Sequence, residues 1–196
     1  HLDMVDDKSI KLGTDDDFTI NWDNQGVPSG WNLNVDTSGP MVTDSISWNG
    51  FYEFDVVLSV PSDALAGSTA TFSMSAASNG DSTQTASQEF TAVVDQHYGV
   101  TLSVDSDSKQ SKPGEDVDFI FNITNTGNGQ DNYILSVSGP AVWNPVLSQN
   151  VSSISAVSVS QFTMTVSIPS DRDAGASSGD IVVTVVSSDG LSTANS

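Results

Sequence analysis

Residues 116–127, with the sequence DVDFIFNITNTG, decide the fold class of this chain. Within this stretch apolar and mostly polar residues alternate, and the apolar set is Val117, Phe119, Phe121 and Ile123. A period of two places successive side chains on opposite faces of an extended strand, one facing the core and one facing solvent. The stretch therefore predicts a half-buried β-strand, and the Thr-Gly at its end predicts a turn.

The same pattern occurs earlier in the chain, in residues 15–26 with the sequence DDDFTINWDNQG. The offset is constant, because 119 − 18 and 127 − 26 both give 101. The shared residues are Lys8, Lys11, Gly13, Asp15, Asp17, Phe18, Asn21, Asn24 and Gly26 in the first copy, and Lys109, Lys112, Gly114, Asp116, Asp118, Phe119, Asn122, Asn125 and Gly127 in the second. A second block repeats Val60-Pro61-Ser62-Asp63 as Ile168-Pro169-Ser170-Asp171, at an offset of 169 − 61 = 108. A repeat of this size indicates two modules of about a hundred residues each.

Strand signals recur throughout both copies. Residues 53–60 and 161–168 alternate in the same way, and Gly- and Pro-containing turn signals separate the runs. Short strands at regular spacing, about a hundred residues per unit, are typical of a sandwich of roughly seven strands. We therefore predict an all-β fold of two tandem immunoglobulin-like antiparallel β-sandwiches. The boundary is expected near residues 94–98, which gives domains of residues 1–96 and 97–196.

The second sandwich is predicted to lack its last strand. In the first repeat the chain runs beyond Gly80 into a strand at 89–94, whereas six residues follow the equivalent Gly190 in this sequence. An unpaired strand edge offers free N–H and C=O groups to a partner. Two explanations stay open at this point. The next segment of a longer array supplies the strand, or a neighbouring subunit donates it.

Charge and composition exclude several classes of partner. The chain has 25 acidic and 5 basic residues, and its formal net charge is −20. A surface of this charge repels nucleic acid and anionic membranes, whose binding depends on Lys and Arg. The sequence has no cysteine, and therefore no disulfide framework or thiolate metal site. We expect no nucleic-acid partner, no direct membrane insertion, and an extracellular or cell-surface location for this Ser/Thr-rich chain.

Several motifs of the second repeat carry a family resemblance. They are residues 113–119 (PGEDVDF), residues 122–128 (NITNTGN), Trp143-Asn144, Ile168-Pro169-Ser170-Asp171 and Ala174-Gly175. Together they resemble the CARDB-like group of immunoglobulin-like modules (cell-adhesion-related domains found in bacteria) and the similar domain associated with α-galactosidases. The resemblance implies a surface-exposed spacer, adhesion or lattice module of an archaeal or bacterial surface protein, usually present as tandem repeats. It implies no catalytic residues.

The first repeat departs from this pattern in one of two ways. Either Trp31-Asn32 takes the place of Trp143-Asn144, or Gly39-Pro40 matches Gly139-Pro140 and the tryptophan is absent. Both alignments stay open on the sequence.

Aspartates near the boundary between the repeats are candidate calcium ligands, namely Asp95, Asp105 and Asp107. Calcium takes six to eight oxygen ligands, and neighbouring carboxylates supply them. No spacing in the chain matches an EF-hand loop. The alternative is that these carboxylates are solvated and discourage aggregation of strand edges. Structural calcium is the one cofactor that the sequence suggests.

Two triplets match the acceptor pattern for N-glycosylation, Asn122-Ile123-Thr124 and Asn150-Val151-Ser152. In the alternation described above, Asn122 falls on the outward face of its strand, where a glycan would fit. Such triplets also arise by chance in Ser/Thr-rich chains.

Four aromatic residues, Trp31, Trp48, Tyr52 and Trp143, are candidates for a platform that stacks against sugar rings. Aromatic residues also anchor the cores and loops of β-sandwiches, which is the alternative role for each of them. A glycan-binding module would use them on its surface, and a structural module would bury them.

No catalytic constellation accompanies these features. Residues 175–179, GASSG, match the nucleophile-elbow pattern literally, but that elbow needs an α/β sheet and a nearby His and acid. We therefore predict a loop there and a non-enzymatic protein. The expected function is a structural or adhesive module of an extracellular surface protein, such as a stalk, adhesin or surface-layer segment, with neighbouring copies or further repeats as partners. The alternatives are a carbohydrate-binding accessory module and a filament subunit completed by a donated strand.

Overall fold

The computed structural model describes residues 17–35, 40–47 and 50–196. The chain forms two compact units, His1–Val94 and Asp95–Ser196, called unit 1 and unit 2 below. The division falls close to the predicted boundary after Gln96. All strand pairing among the described residues is antiparallel, and the helical structure there is one 3-10 turn at Ala141–Trp143. The predicted all-β class is confirmed.

The described part of unit 1 contains a four-stranded sheet and a two-stranded ribbon. Its strands are β1 (Phe18–Gly26), β2 (Asn32–Val35), β3 (Met41–Val42), β4 (Val56–Ser59), β5 (Thr69–Ser78) and β6 (Thr85–Val93). The sheet has the order β3-β1-β5-β6, and β2 pairs with β4 in the ribbon. Its core joins both layers, because Ile20 and Met74 of the sheet pack in one cluster with Val35 of the ribbon.

Unit 2 is a sandwich of two four-stranded sheets. Its strands are β7 (Val100–Val104), β8 (Asp116–Asn125), β9 (Asp131–Ser138), β10 (Val146–Leu147), β11 (Val151–Ile154), β12 (Val159–Ser167), β13 (Val182–Ser187) and β14 (Thr193–Asn195). One sheet has the order β10-β12-β8-β7 and the other β11-β9-β13-β14. A single core cluster draws side chains from both sheets, including the stacked rings of Phe121 and Phe162 at 5.1 Å and the fully buried Tyr133 and Val183.

The two copies of the repeated strand pair with different neighbours. In unit 2, β8 forms a nine-position ladder with β12 and a second ladder with β7. In unit 1, the equivalent β1 pairs with β5, which corresponds to β13 by the offset of 108. The lengths of the strands differ in the same way. In unit 2 the partner β12 has nine residues, but its counterpart in unit 1, β4, has four, and β1 pairs with the ten-residue β5 instead. The repeat therefore predicts where strands lie but not which strands pair.

The prediction that the second sandwich lacks its last strand is wrong. β14 pairs with β13, and two hydrogen bonds between Val183 and Ser196, 3.0 and 3.1 Å long, extend the ladder. The turn before β14 is tight because the Asp189 carboxylate accepts the N–H groups of Leu191 and Ser192, both at 2.9 Å. The chain therefore reverses at once after Gly190 and forms the strand from the residues that follow.

One turn of unit 2 holds a valine in a strained conformation. Val157 lies in the connection between β11 and β12, and its φ is 53°. This left-handed region costs an L-residue about 1–2 kcal/mol, and a β-branched side chain is among the least suited to it. The side chain is 77% exposed, so burial does not offset the strain.

Replacing Val157 with asparagine is expected to stabilise unit 2 by about 1 kcal/mol, because asparagine tolerates the left-handed region far better. Urea unfolding followed through the fluorescence of Trp143, in a background where it is the only tryptophan, measures the change. The matched control is Val159→Asn, which alters another exposed valine, 61% exposed, within the regular strand β12. A gain in both variants, or in neither, would rule out relief of backbone strain.

Candidate functional site

The structure does not bring the three predicted calcium ligands together. Asp95, Asp105 and Asp107 are exposed, and no group of three metal-binding side chains occurs among the described residues. The Asp105 carboxylate is already bonded, since it accepts the Lys109 ammonium at 2.5 Å and the Ile120 N–H at 3.0 Å. These three aspartates therefore do not form the predicted calcium site. Asp105 instead pairs with Lys109 and holds a loop in place.

Lys109 has a structural role that the repeat pattern alone did not show. Its ammonium donates to the Asp118 carbonyl at 2.6 Å, in addition to Asp105, and lies 5.3 Å from the centre of the Phe119 ring. The hydrogen bond from Lys109, followed by that from the Ile120 N–H, lowers the pKa of Asp105. One cation thus fastens the loop between β7 and β8 onto β8.

Trp143 does not lie on the surface as the predicted aromatic platform requires. Trp143 is 8% exposed and belongs to the core of unit 2, so it cannot stack against a ligand at the surface. Trp31 is half-buried, and Trp48 lies outside the described residues. Trp143 is the buried residue of the 3-10 turn, and it anchors the core of unit 2 instead of a binding surface.

The predicted Tyr52 and its neighbour Phe51 are exposed in unit 1. Phe51 is 81% exposed and Tyr52 is 44% exposed, in the segment that precedes β4. The Tyr52 hydroxyl lies 3.8 Å from the Met41 sulfur, and its ring lies 6.4 Å from that of Phe54, which packs on the core. The sequence analysis named Tyr52 but not Phe51, for which the signal is its adjacency to Tyr52.

The two glycosylation acceptors have different surroundings. Asn122 lies in the middle of β8, between β7 and β12, and its side-chain oxygen accepts the Gln161 amide at 3.2 Å. It is half-buried on the outward face of the sheet. Asn150 is exposed and lies immediately before the edge strand β11.

A buried carboxylate joins the start of β9 to the end of β13. Asp131 is 3% exposed and accepts the Asn132 N–H at 2.7 Å, the Ser187 hydroxyl at 2.5 Å and the Ser188 hydroxyl. Burial alone would raise its pKa, but the hydrogen bonds, those of Ser187 and Ser188 first, outweigh burial and lower it. The ionised form of Asp131 is therefore part of the folded structure.

Acid is expected to destabilise unit 2 through Asp131. Because its pKa is lowered on folding, the stabilisation is complete above the unfolded pKa of about 3.9 and is lost as pH falls through the folded value. The free energy of unfolding in urea should therefore fall between pH 5 and pH 2, and Asp131→Asn should reduce that fall. Asp173→Asn, in an exposed loop, is the control. An unchanged pH dependence in Asp131→Asn would refute the assignment.

Three side chains of unit 2 form hydrogen bonds from one sheet to the other, and we call these the cross-sheet hydrogen bonds. Asn125 of β8 donates to the Ile154 carbonyl of β11 at 3.0 Å. Tyr133 of β9 donates to the Gly99 carbonyl, next to β7, at 3.0 Å, and Ser152 of β11 donates to Ser160 of β12 at 3.2 Å. Asn125 and Tyr133 are 1% and 0% exposed.

Burial, followed by the charge of Asp131, raises the pKa of Tyr133, so its hydroxyl stays protonated and donates. Among the described residues, no buried side-chain nitrogen or oxygen lacks a partner. Asn125, Tyr133 and Ser152 thus join the two sheets of unit 2, whereas the hydrogen bonds of Asp131 join strands within one sheet.

The segment that resembles a nucleophile elbow is a loop, as predicted. Residues 176–181 have no regular secondary structure, and Gly175 and Gly179 adopt φ values of 85° and 72°. Within the part of the chain that the structure describes, no helix is long and apolar enough to cross a membrane.

Comparisons with known proteins give a weak structural likeness. No family model matches the chain. No curated protein matches it. Among solved structures, the chain is similar to a protein of unknown function from Porphyromonas gingivalis W83, with 16% identity and a TM-score of 0.32 over 94% of this chain and 86% of that one. A likeness at this level carries no argument about function.

Proposed function

We propose that the chain is a non-enzymatic structural or adhesive module of an extracellular surface protein, such as a stalk, adhesin or surface-layer segment. The observation that carries the proposal is the set of cross-sheet hydrogen bonds in unit 2. A sandwich whose layers are joined by buried side chains resists sliding of one sheet over the other. Such resistance suits a module that holds other parts of a protein at a distance or tiles with copies of itself.

Charge and resemblance support the same role. The net charge of −20 keeps a densely displayed chain hydrated and soluble. The resemblance of the second repeat to CARDB-like modules also favours a surface protein built from tandem repeats. Neighbouring copies or further repeats are the proposed partners.

The spacer role is tested by placing the full chain between a membrane anchor and an epitope tag on cultured cells. The comparison is a Gly/Ser tether of the same 196 residues, whose ends lie roughly 80 Å apart on average. Antibody-coated beads too large to enter the cell coat should bind the folded module several-fold better, because a random coil is easily compressed. Asn125→Ala should lower that binding, and equal binding by the chain and the tether would refute the spacer role.

Glycosylation, if the chain passes through a glycosylating secretory pathway, is expected at Asn150 and not at Asn122. A glycan on Asn122 would replace the contact with Gln161 in the centre of a sheet, whereas Asn150 is exposed at a strand end. Peptide mapping of the chain secreted from yeast measures occupancy at each asparagine. Asn150→Gln should remove the glycan mass and Asn122→Gln should not, and the reverse pattern would refute the assignment.

A glycan-binding module is the second candidate, and the exposure of Phe51 and Tyr52 favours it. Exposed aromatic rings can stack on the apolar faces of sugars. A glycan array probed with the full chain separates the two candidates, with Phe51→Ala and Tyr52→Ala as variants and Val42→Ala, another exposed apolar residue of unit 1, as the control. Specific binding that only the aromatic variants lose would replace the structural role with this one.

A further inference from the structure

Among the described residues, the longest strand at the edge of a sheet is β6 in unit 1. It has nine residues and lies at the end of the order β3-β1-β5-β6. Its register with β5 is continuous from Thr69↔Val93 to Ala77↔Thr85, without a bulge. Among the described residues, no strand pairs with its other side.

The outward backbone groups of β6 can be assigned from the ladder. The Ser78 N–H donates to the Gln84 carbonyl and the Val94 N–H to the Ser68 carbonyl, so even-numbered residues of this strand bond to β5. The odd-numbered residues therefore direct their N–H and C=O groups away from the sheet, and these are Thr85, Ser87, Glu89, Thr91 and Val93. The Gln88 amide donates to one of these carbonyls, that of Glu89, at 2.7 Å.

β6 lacks the features that usually protect an edge. Natural sheets use short edge strands, lysines, prolines or bulges for this purpose. The other edge strands here have two to five residues each, namely β2, β3, β4, β7, β10, β11 and β14. β6 has nine residues, neither lysine nor proline, and one charge, Glu89, on a chain of net charge −20.

We propose that β6 is an association surface for a second copy of this chain, paired antiparallel with its own β6 about a two-fold axis. An antiparallel edge is self-complementary, because a two-fold axis places each donor opposite an acceptor of the same strand. An axis at Gln88 sets Thr85 opposite the partner's Thr91 and Ser87 opposite the partner's Glu89. This register forms Thr–Thr pairs, which are favourable across strands, and keeps the two Glu89 side chains from lying directly opposite each other.

Salt should strengthen this association. Each chain carries a net charge of −20, so two copies repel each other at long range. The Debye length falls from about 8 Å at 0.15 M to about 3 Å at 1 M salt, which removes most of the repulsion, while the backbone hydrogen bonds remain. The inference deepens the proposed structural role and rests on it for its biological meaning, but the association is measured independently of the spacer and glycan assays.

Sedimentation equilibrium of the full chain in 0.05, 0.15 and 1 M NaCl tests the surface. We expect a monomer–dimer equilibrium whose Kd is at least tenfold lower at 1 M than at 0.05 M. Ser87→Pro and Thr91→Pro remove outward N–H groups without breaking the β5–β6 ladder, and each should raise Kd at least tenfold. Ser153→Pro, at an outward position of the short edge strand β11, should leave it unchanged. A monomer under all conditions, or a dimer that ignores the β6 prolines, would overturn the proposal.

A single cysteine tests the register. Residues opposite each other at a non-hydrogen-bonded position have Cα atoms about 4.5 Å apart, within the range that a disulfide spans. The chain has no cysteine of its own, so Gln88→Cys should give a covalent dimer under mild oxidation. Thr91→Cys is the control, because in this register it faces the partner's Thr85 and should cross-link at least tenfold more slowly. Equal cross-linking of the two variants would refute the axis at Gln88.

Discussion

Replacing Asn125 with alanine is expected to lower the free energy of unfolding of unit 2 by about 3 kcal/mol. The side chain is 1% exposed and makes three hydrogen bonds, to the Gly129 carbonyl at 2.8 Å, the Ile154 carbonyl at 3.0 Å and the Gly127 N–H at 2.8 Å. Its removal leaves these buried backbone groups without a partner, and each such group costs about 1–3 kcal/mol unless water reaches it. It also removes one of the cross-sheet hydrogen bonds.

Urea unfolding in the background with Trp143 as the only tryptophan measures this loss, because Trp143 belongs to the core of unit 2. The matched control is Asn132→Ala, which truncates an exposed asparagine of the neighbouring strand β9 and should change stability by less than about 0.5 kcal/mol. Similar losses in the two variants would show that the buried bonds of Asn125 do not fasten the sheets.

The second large effect is expected for Gly127→Ala, with a loss of about 2 kcal/mol. A Cβ atom at Gly127 would lie 2.4 Å from the His97 carbonyl oxygen, so the backbone itself would have to move. Its counterpart in the first repeat, Gly26, is equally restricted, with the Thr71 carbonyl oxygen 2.4 Å away. The close approach of backbone explains why the repeat keeps glycine at both positions.

The control for this substitution is Gly99→Ala. There the nearest atom, also 2.4 Å from the added Cβ, is the Thr126 side-chain oxygen, which can rotate away. The same urea assay should therefore give a clearly smaller loss for Gly99→Ala. If the two variants lose the same stability, the contact with the His97 backbone is not the cause.

The strands themselves were predictable from alternation, because a half-buried strand must place every second side chain in the core. β8 and β12 contain the predicted runs of the second repeat almost entirely. Pairing partners were not predictable, since alternation describes one strand and is silent about its neighbours. β1 and β8 share their sequence pattern but pair with non-equivalent strands.

Equivalent residues of the repeat also differ in their surroundings. Asn125 is buried and fully bonded, whereas Asn24, its counterpart, is exposed at the end of β1. The difference arises because the bond from Asn125 to Ile154 requires a second sheet above β8, and sequence spacing does not specify which strand lies there. A shared residue in a repeat is thus evidence for a shared local conformation only.

The candidate site residues were the least predictable part. Asp105 and Asp107 are close in sequence, which suggested that both bind one calcium ion, but the carboxylate of Asp105 accepts a hydrogen bond from Lys109 instead. Trp143 looked like a surface platform because aromatic residues serve cores and binding faces alike, and only the packing shows that it is buried. Exposure and charge pairing are properties of the folded layers, so composition could limit the partners but could not locate a site.

The proposed structural role is tested most directly by the lifetime of unit 2 when a constant stretching force is applied between the two ends of the full chain. If the cross-sheet hydrogen bonds carry load, wild-type unit 2 should remain folded at least tenfold longer than the Asn125→Ala variant at the same force. Asn132→Ala should behave as wild type. Equal lifetimes for wild type and Asn125→Ala would contradict the role of these bonds in carrying load.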